Sequence, residues 1–420
     1  MNVVHSLTLA LALAFAAQVH ADYLPDPAAA EAALWATPLV SQARGEFTAQ
    51  TLKSQGLQHG REEWMVGADF AQRRIEALRD NQTEWGVALS RPLRLPARAA
   101  ADRELAGALT AHSEANLGEA LHESGRQLLA LWFDWLNEAS QAQLWRAQLQ
   151  LGEQQLAAVI ARIRLGEAPR SERVNSEAAL AQLRLQQQQA ATREQQARNR
   201  LRAQFPDLPV AAEGALPSPL SPDGTADDYV DAVLEHNHEL FRARRQAEVL
   251  QAEARQLARR RSADPNVGIF YKNEAGGSEH VLGLNVGLTL PGPARRFAQE
   301  AAEQLSATAQ DAAMRLEQRL RQEARADFEA AIALSANWQQ AERAAQALDE
   351  AARLAARAYS LGEGSLDQVL LNRRLALDGR LQAQQAQLAA LAADARLKLD
   401  AHRLWALDAG ADAGGTHAHP

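Results

Sequence analysis

The sequence predicts a mainly α protein with a small β part. Long antiparallel helices form a coiled-coil barrel, and four strands per protomer contribute to a trimeric, twelve-stranded transmembrane β-barrel. Three observations predict this: two stretches of about 67 residues each without an internal proline, an internal repeat that embraces both, and a ribbon-like alternation of apolar and polar residues ahead of each stretch.

The chain begins with a leader-like segment. Met1 to Ala21 has an apolar core from Leu7 to Ala17 and ends in Val19-His20-Ala21, the small-residue pattern of a signal peptidase site, so cleavage after Ala21 and export are expected. Its n-region carries only the amino terminus and His5. No other run of 18 apolar residues occurs, which rules out a helical membrane span, so any membrane residence must use strands. The absence of cysteine excludes disulfides, thiolate metal sites and a lipid-modified cysteine. With 44 basic and 52 acidic residues the formal charge is -8, and nucleic acid is not an expected partner.

The repeat has two anchors. RPLRLPARAAADREL from Arg91 resembles VGLTLPGPARRFAQE from Val286 at an offset of 195, and LGEAPRSERVNSEAAL from Leu165 resembles LGEGSLDQVLLNRRLAL from Leu361 at an offset of 196. Each copy reads as helix, strand pair, long helix, turn and return helix. The first repeat spans 22–205: a helix over 28–55, a hairpin over 63–95, a long helix over 97–164, a tip turn at 165–169 and a return helix over 170–204. A proline-rich linker, 206–225, follows. The second repeat spans 226–407: a helix over 227–262, a hairpin over 266–290, a long helix over 294–360, a turn at 361–364 and a return helix over 365–407, with a disordered tail at 408–420. A helix of 67 residues is roughly 100 Å long at 1.5 Å per residue, too long for a compact domain. Leu117, Leu121, Leu128, Trp132 and Trp135, and in the second copy Leu316, Leu320, Phe328 and Ile332, recur at helical spacing and require partner helices.

In the second hairpin Leu282, Leu284, Val286, Leu288 and Leu290 alternate with small or polar residues, the pattern of a lipid-facing strand. In the first, Trp64, Val66, Ala68 and Phe70 lead to a charged loop containing Asp80 and Asn81, then to Trp85, Val87 and Leu89. Trp64 and Trp85 suit either an interfacial girdle or internal packing. Four strands cannot close a barrel, and open edges in lipid cost several kcal/mol per unpaired group. Several copies must therefore supply strands, and a cyclic trimer is the smallest closure with a usable pore.

These features resemble the TolC-like outer-membrane efflux proteins over essentially the whole mature chain, with YSLGEGSLDQVL from Tyr359 the nearest match to the family's tip sequence. LGEAPRSE, the modest length and the missing lipobox cysteine look like the heavy-metal cation-efflux (CzcC-like) subgroup. The resemblance implies a homotrimeric, passive duct in the outer membrane that projects through the periplasm to an adaptor and an inner-membrane pump of the resistance-nodulation-division type. It implies no cofactor and no catalysis. It also places a gate at the periplasmic tip, on Ser171 and Glu172 in the first copy and Tyr359, Asp367 and Gln368 in the second. An arginine frequent after the second turn glycine is replaced by Gly364.

From the residues themselves, Gly166 and Gly362 give the backbone freedom for tight reversals, and Pro169 suits the first turn of the return helix. Glu172 and Asp367 also suit the positive ends of helices. His417 and His419 in the tail form a weak metal-site candidate, His236 and His238 read as a solvated helix face, and Arg259, Arg260 and Arg261 fall at the membrane rim within reach of lipid phosphate. No GxSxG, HExxH or phosphate-cradling loop is present, which speaks against an enzyme. The rival readings are a periplasmic coiled-coil adaptor or scaffold, and the outer-membrane duct of a type I secretion or drug-efflux system.

Overall fold

The computed structural model describes residues 23–60, 62–76, 79–211, 215–262, 264–405 and 407. The leader through Ala21 and the candidate metal pair His417 and His419 lie outside the described residues. Two helices open the fold, α1 (Pro27–Trp35) and α2 (Pro38–His59), followed by strands β1 (Met65–Ile75) and β2 (Asp80–Pro92). Then come α3 (Pro96–Arg164) and its return helix α4 (Arg170–Gln204). The second half repeats the pattern with α5 (Ala226–His236), α6 (His238–Arg259), β3 (Asn266–Glu274), β4 (Glu279–Gly287), α7 (Ala294–Ser360) and α8 (Leu366–Asp400).

The long rods have 69 and 67 residues. Each has shorter partners laid along it: α3 packs on α2, α4, α6 and α8, and α7 packs on α5, α6 and α8. Most of the buried apolar surface lies midway along α3. There Leu121, Leu128, Trp132 and Trp135 meet Leu34 of α1, Leu201 and Phe205 at the end of α4, Leu391 and Leu399 of α8, and Trp405. Trp132 Nε1 donates to the Tyr23 carbonyl at 2.8 Å, which satisfies a buried indole N–H. Smaller cores follow α5, α7 and α8 around Tyr229 and Phe328, and the tip around Val159 and Val369.

Several boundaries differ from the sequence expectation, each for a local reason. The first helix breaks at Ala36–Thr37, because Pro38 takes the first helical position and the Thr37 hydroxyl caps the new end. The stretch 227–262 breaks at Asn237, whose side chain accepts from Leu240 N at 2.7 Å. The last helix stops at Asp400 instead of 407, with His402 at a positive φ of 53°. Strand β4 ends at Gly287, so Leu288 and Leu290 lie past it, and Trp64 precedes β1. Asp80 and Asn81 are strand residues paired with Ile75 and Arg74, not a loop.

His236 and His238 do not form a solvated face. The kink at Asn237 turns both toward His402 and the end of α8, with ring centroids 5.2 and 4.9 Å from that of His402. Buried His122 of α3 stacks on His402 at 5.7 Å, and its Nε2 reaches Asp400 at 3.3 Å. Gly118 leaves room for His238, since a Cβ there would stand 2.6 Å from the imidazole. Asp400 also binds Arg126 at 3.0 Å and Arg396 at 2.8 Å. Burial alone would raise its pKa, but the His122 hydrogen bond and the two guanidinium charges outweigh that and hold the carboxyl far below its usual range.

The four strands form one antiparallel sheet in the order β1-β2-β3-β4. The central pairing of β2 with β3 joins the two repeats, matching Leu89 to Ile269 and Val87 to Tyr271. A long-range bond ladder therefore unites two hairpins whose paired residues lie 174 or more positions apart in the sequence. Among the described residues, no helix is long and apolar enough to cross a membrane.

Candidate functional site

The far end of the rods, away from the sheet, brings the two helical turns together. Each turn is a Schellman reversal. In the first, Gly166 at φ 78° lets Glu167 N bond to Arg162 O at 2.9 Å and its own N–H to Ile163 O at 3.1 Å. In the second, Gly362 at φ 81° serves the matching bonds, Glu363 N to Ala358 O at 2.9 Å and Gly362 N to Tyr359 O at 3.1 Å. Gly364 has no positive φ, but a Cβ there would stand 3.3 Å from the Tyr359 backbone nitrogen, a tight contact. Pro169 occupies the N-cap position of α4 in extended backbone, one residue before the first helical turn expected for it.

Tyr359, at the end of α7, points into the interface between the repeats and is buried on Val159, Leu366 and Val369. Its hydroxyl donates to Glu172 Oε2 at 2.5 Å, and the Arg162 guanidinium lies 4.4 Å from its ring centroid. Burial first, and then the Glu172 carboxylate, push the phenol up to about 12, so it stays a neutral donor. Next to this group, Asn175 Nδ2 donates to Asp367 Oδ1 at 3.4 Å, again linking the repeats. Glu172 and Asp367 sit in the first turns of α4 and α8, so helix-dipole stabilisation and the cross-repeat contacts act on the same carboxylates.

Of the five predicted tip residues, the structure brings Glu172 to Tyr359 and sets Asp367 beside them. Ser171 and Gln368 are exposed and take no side-chain part in these contacts. Sequence reasoning missed Arg162 and Asn175. Arg162 stands four residues before Gly166, and its counterpart in the second copy is Ala358, so the repeat itself gave no pair to compare.

The opposite end of the molecule carries the sheet, whose two faces are sorted across all four strands. One face holds the apolar rows Val66, Leu89, Ile269, Leu284 and Ala68, Val87, Tyr271, Leu282, flanked by the mixed rows Phe70, Trp85, Asn273, His280 and Arg91, Val267, Val286, where Arg91 interrupts the apolar surface. Leu282, Leu284 and Val286 on this face are 78, 80 and 71% exposed, so none of the described residues covers them. The other face has the rows Met65, Ser90, Gly268, Asn285 and Gly67, Ala88, Phe270, Gly283, and Asp69, Gly86, Lys272, Val281. Every one of these rows contains a glycine, which makes room for a larger neighbour: a Cβ on Gly283 would stand 2.3 Å from the Phe270 ring, and one on Gly86 2.6 Å from Asp69. Trp85 packs on Tyr271 at 5.7 Å, and Trp64 lies 5.4 Å under Arg91 while 62% exposed. Leu288 and Leu290, beyond the strand, are exposed as well.

No family model and no curated protein matches the sequence. Solved structures do match the fold. A membrane protein from Pseudomonas aeruginosa aligns at a TM-score of 0.76 and 15% identity over 92% of each chain. CusC, solved in a study of transmembrane channel formation, aligns at 0.70 and 13% identity over 89% of this chain and 91% of its own. The open state of the MtrE outer membrane channel of Neisseria gonorrhoeae aligns at 0.69 and 18% identity over 91% of both. At these identities the likeness establishes the fold, and it is that of the TolC-like channels which the repeat and the tip motif resemble.

Proposed function

We propose that the chain is one protomer of a homotrimeric outer-membrane channel, the passive exit duct of a tripartite efflux pump. One observation carries the reading: a four-stranded sheet with one largely apolar face, exposed along β4, and two unpaired edges stands at the end of rods roughly 100 Å long. Such a sheet is viable in lipid only when its edges are paired, and sister copies offer the matching strands. A periplasmic adaptor or scaffold accounts for the rods but gives no reason for an uncovered apolar face on the sheet.

The partners proposed are a periplasmic adaptor and an inner-membrane pump of the resistance-nodulation-division type, and the cargo proposed is heavy-metal cations. The likeness of LGEAPRSE to the cation-efflux subgroup supports this cargo over drugs or an exported polypeptide. The duct makes and breaks no bond. Its gate is proposed at the tip, where Tyr359, Glu172 and Arg162 fasten the second repeat to the first.

The test is to recover the mature polypeptide from outer membranes in detergent, measure its mass by light scattering and record it in planar bilayers. A trimer with discrete conductance is expected. A monomer that stays in aqueous solution without detergent overturns the proposal. Loss of metal tolerance on gene deletion, with drug tolerance unchanged, is the result expected for the cargo.

A further inference from the structure

Three arginines from three separate connections converge where the helices meet the sheet. Arg98 lies in the first turn of α3, Arg260 caps the end of α6, and Arg295 is in the first turn of α7. Together with Leu257 and Ala298 they line a cleft of about 290 Å³. Asp264 pairs with Arg98 alone of the three, and also accepts from Leu95 N at 3.2 Å. Arg295 Nη1 donates to the Arg260 carbonyl at 2.8 Å, and among the described residues neither Arg260 nor Arg295 has a carboxylate partner. The Nε atoms of Arg98 and Arg260 are buried and have no acceptor among the described residues.

Buried N–H donors without acceptors cost about 1 to 3 kcal/mol each, more for charged groups, and an excess of guanidinium over carboxylate adds self-repulsion. Both penalties vanish when an oxyanion occupies the cleft. Guanidinium forks match phosphate oxygens in geometry, and the apolar floor from Leu257 and Ala298 suits a ligand whose remainder is less polar. We propose that this cleft is a phosphate-binding site. The ligand chemistry is a phosphate mono- or diester, or inorganic phosphate. Its place at the helix-proximal ends of β2, β3 and β4 sets the cleft just beyond the apolar face, at the level of lipid headgroups, and this lipid source rests on the membrane reading given above.

The experiment uses the full-length protein purified in detergent, with two variants: the double variant Arg260→Gln/Arg295→Gln, which leaves the Arg98–Asp264 pair intact, and Arg260→Lys, which keeps the charge but not the fork. Binding of phosphatidylglycerol is followed by native mass spectrometry, and binding of inorganic phosphate by calorimetry against chloride at equal ionic strength. Wild-type protein is expected to bind at least one probe about tenfold more tightly than the double variant, with Arg260→Lys between them. Lipid retention that phosphate cannot displace assigns a headgroup, whereas equal competition by inorganic phosphate assigns the free anion. Should the double variant fail to assemble, a rise in wild-type thermal midpoint with phosphate but not chloride keeps the site, and no rise rejects it. Equal binding of both probes by wild type and an assembled double variant overturns it. The phosphate arm needs no bilayer, so its result is independent of whether the channel reading holds.

Discussion

Glu172 and Tyr359 belong to different repeats, 187 residues apart, yet carboxylate and phenol meet at 2.5 Å beneath the Arg162 guanidinium. A hydrogen bond to a charged, partly exposed group contributes about 1 to 2 kcal/mol, roughly a 5- to 30-fold bias toward the fastened arrangement. Tyr359→Phe and Glu172→Gln are each expected to raise single-channel conductance in planar bilayers. Wild-type conductance in both variants would remove this contact from the gate. Because the folded phenol titrates near 12 and the free one near 10.0, the contact's stabilisation is complete below pH 10 and lost as pH rises through about 12.

Asp400 joins α3 to the end of α8 through His122 and Arg126, and pairs within α8 with Arg396. Removing one partner of a buried pair costs about 3 to 5 kcal/mol; Arg396 is half exposed, so Asp400→Asn is expected near the lower figure, read as a lower thermal midpoint in detergent. The folded pKa is depressed, so the stabilisation is present above the ordinary carboxylate pKa and disappears as pH falls through the folded value. A mutant as stable as wild type at pH 7 would contradict the assignment.

Gly283 and Phe270 face each other across β3 and β4, with no room for a side chain between them. Gly283→Val is expected to destabilise the sheet by about 1 to 3 kcal/mol from overpacking. Phe270→Ala in the same chain should restore most of the loss. Additive destabilisation in the double mutant would show that the two do not compete for space.

The two faces of the sheet predict opposite tolerance to charge at adjacent positions. Leu284→Arg places a guanidinium on the apolar face, at about 2 to 4 kcal/mol if it lies near the bilayer midplane. Asn285→Arg, one residue on, places it on the glycine-bearing face. Outer-membrane recovery is expected to fall sharply for the first and little for the second; equal recovery refutes the sorting.

The long rods, both reversals and the alternation of the strands were legible because each rests on local rules: absence of proline, glycine at a left-handed position, period-two patterning. The break at Asn237 was legible in principle, since asparagine is a strong N-cap, but the helical pattern continued across it and masked it. The His122, His238 and His402 cluster was not legible, because it assembles from three segments and depends on a kink and on Gly118. Nor was the β2 to β3 pairing, which is a choice among partners that strand composition alone does not make. At the tip, the family resemblance pointed to Glu172 and Tyr359, whereas Arg162 lay within an ordinary helical run of arginines and aliphatic residues and could be found only by its position over a ring.

All helical connections leave the sheet at one end, and its free edges are two different strands, β1 and β4. Copies whose rods run side by side can join only with β1 of one against β4 of the next, a directional coupling that has to come full circle. A chain spoiled along one edge keeps the other intact, so it still enters a ring and leaves it with a gap. In genetic terms such a lesion is dominant: mixed with intact chains, it disables more assemblies than its own share of the subunits.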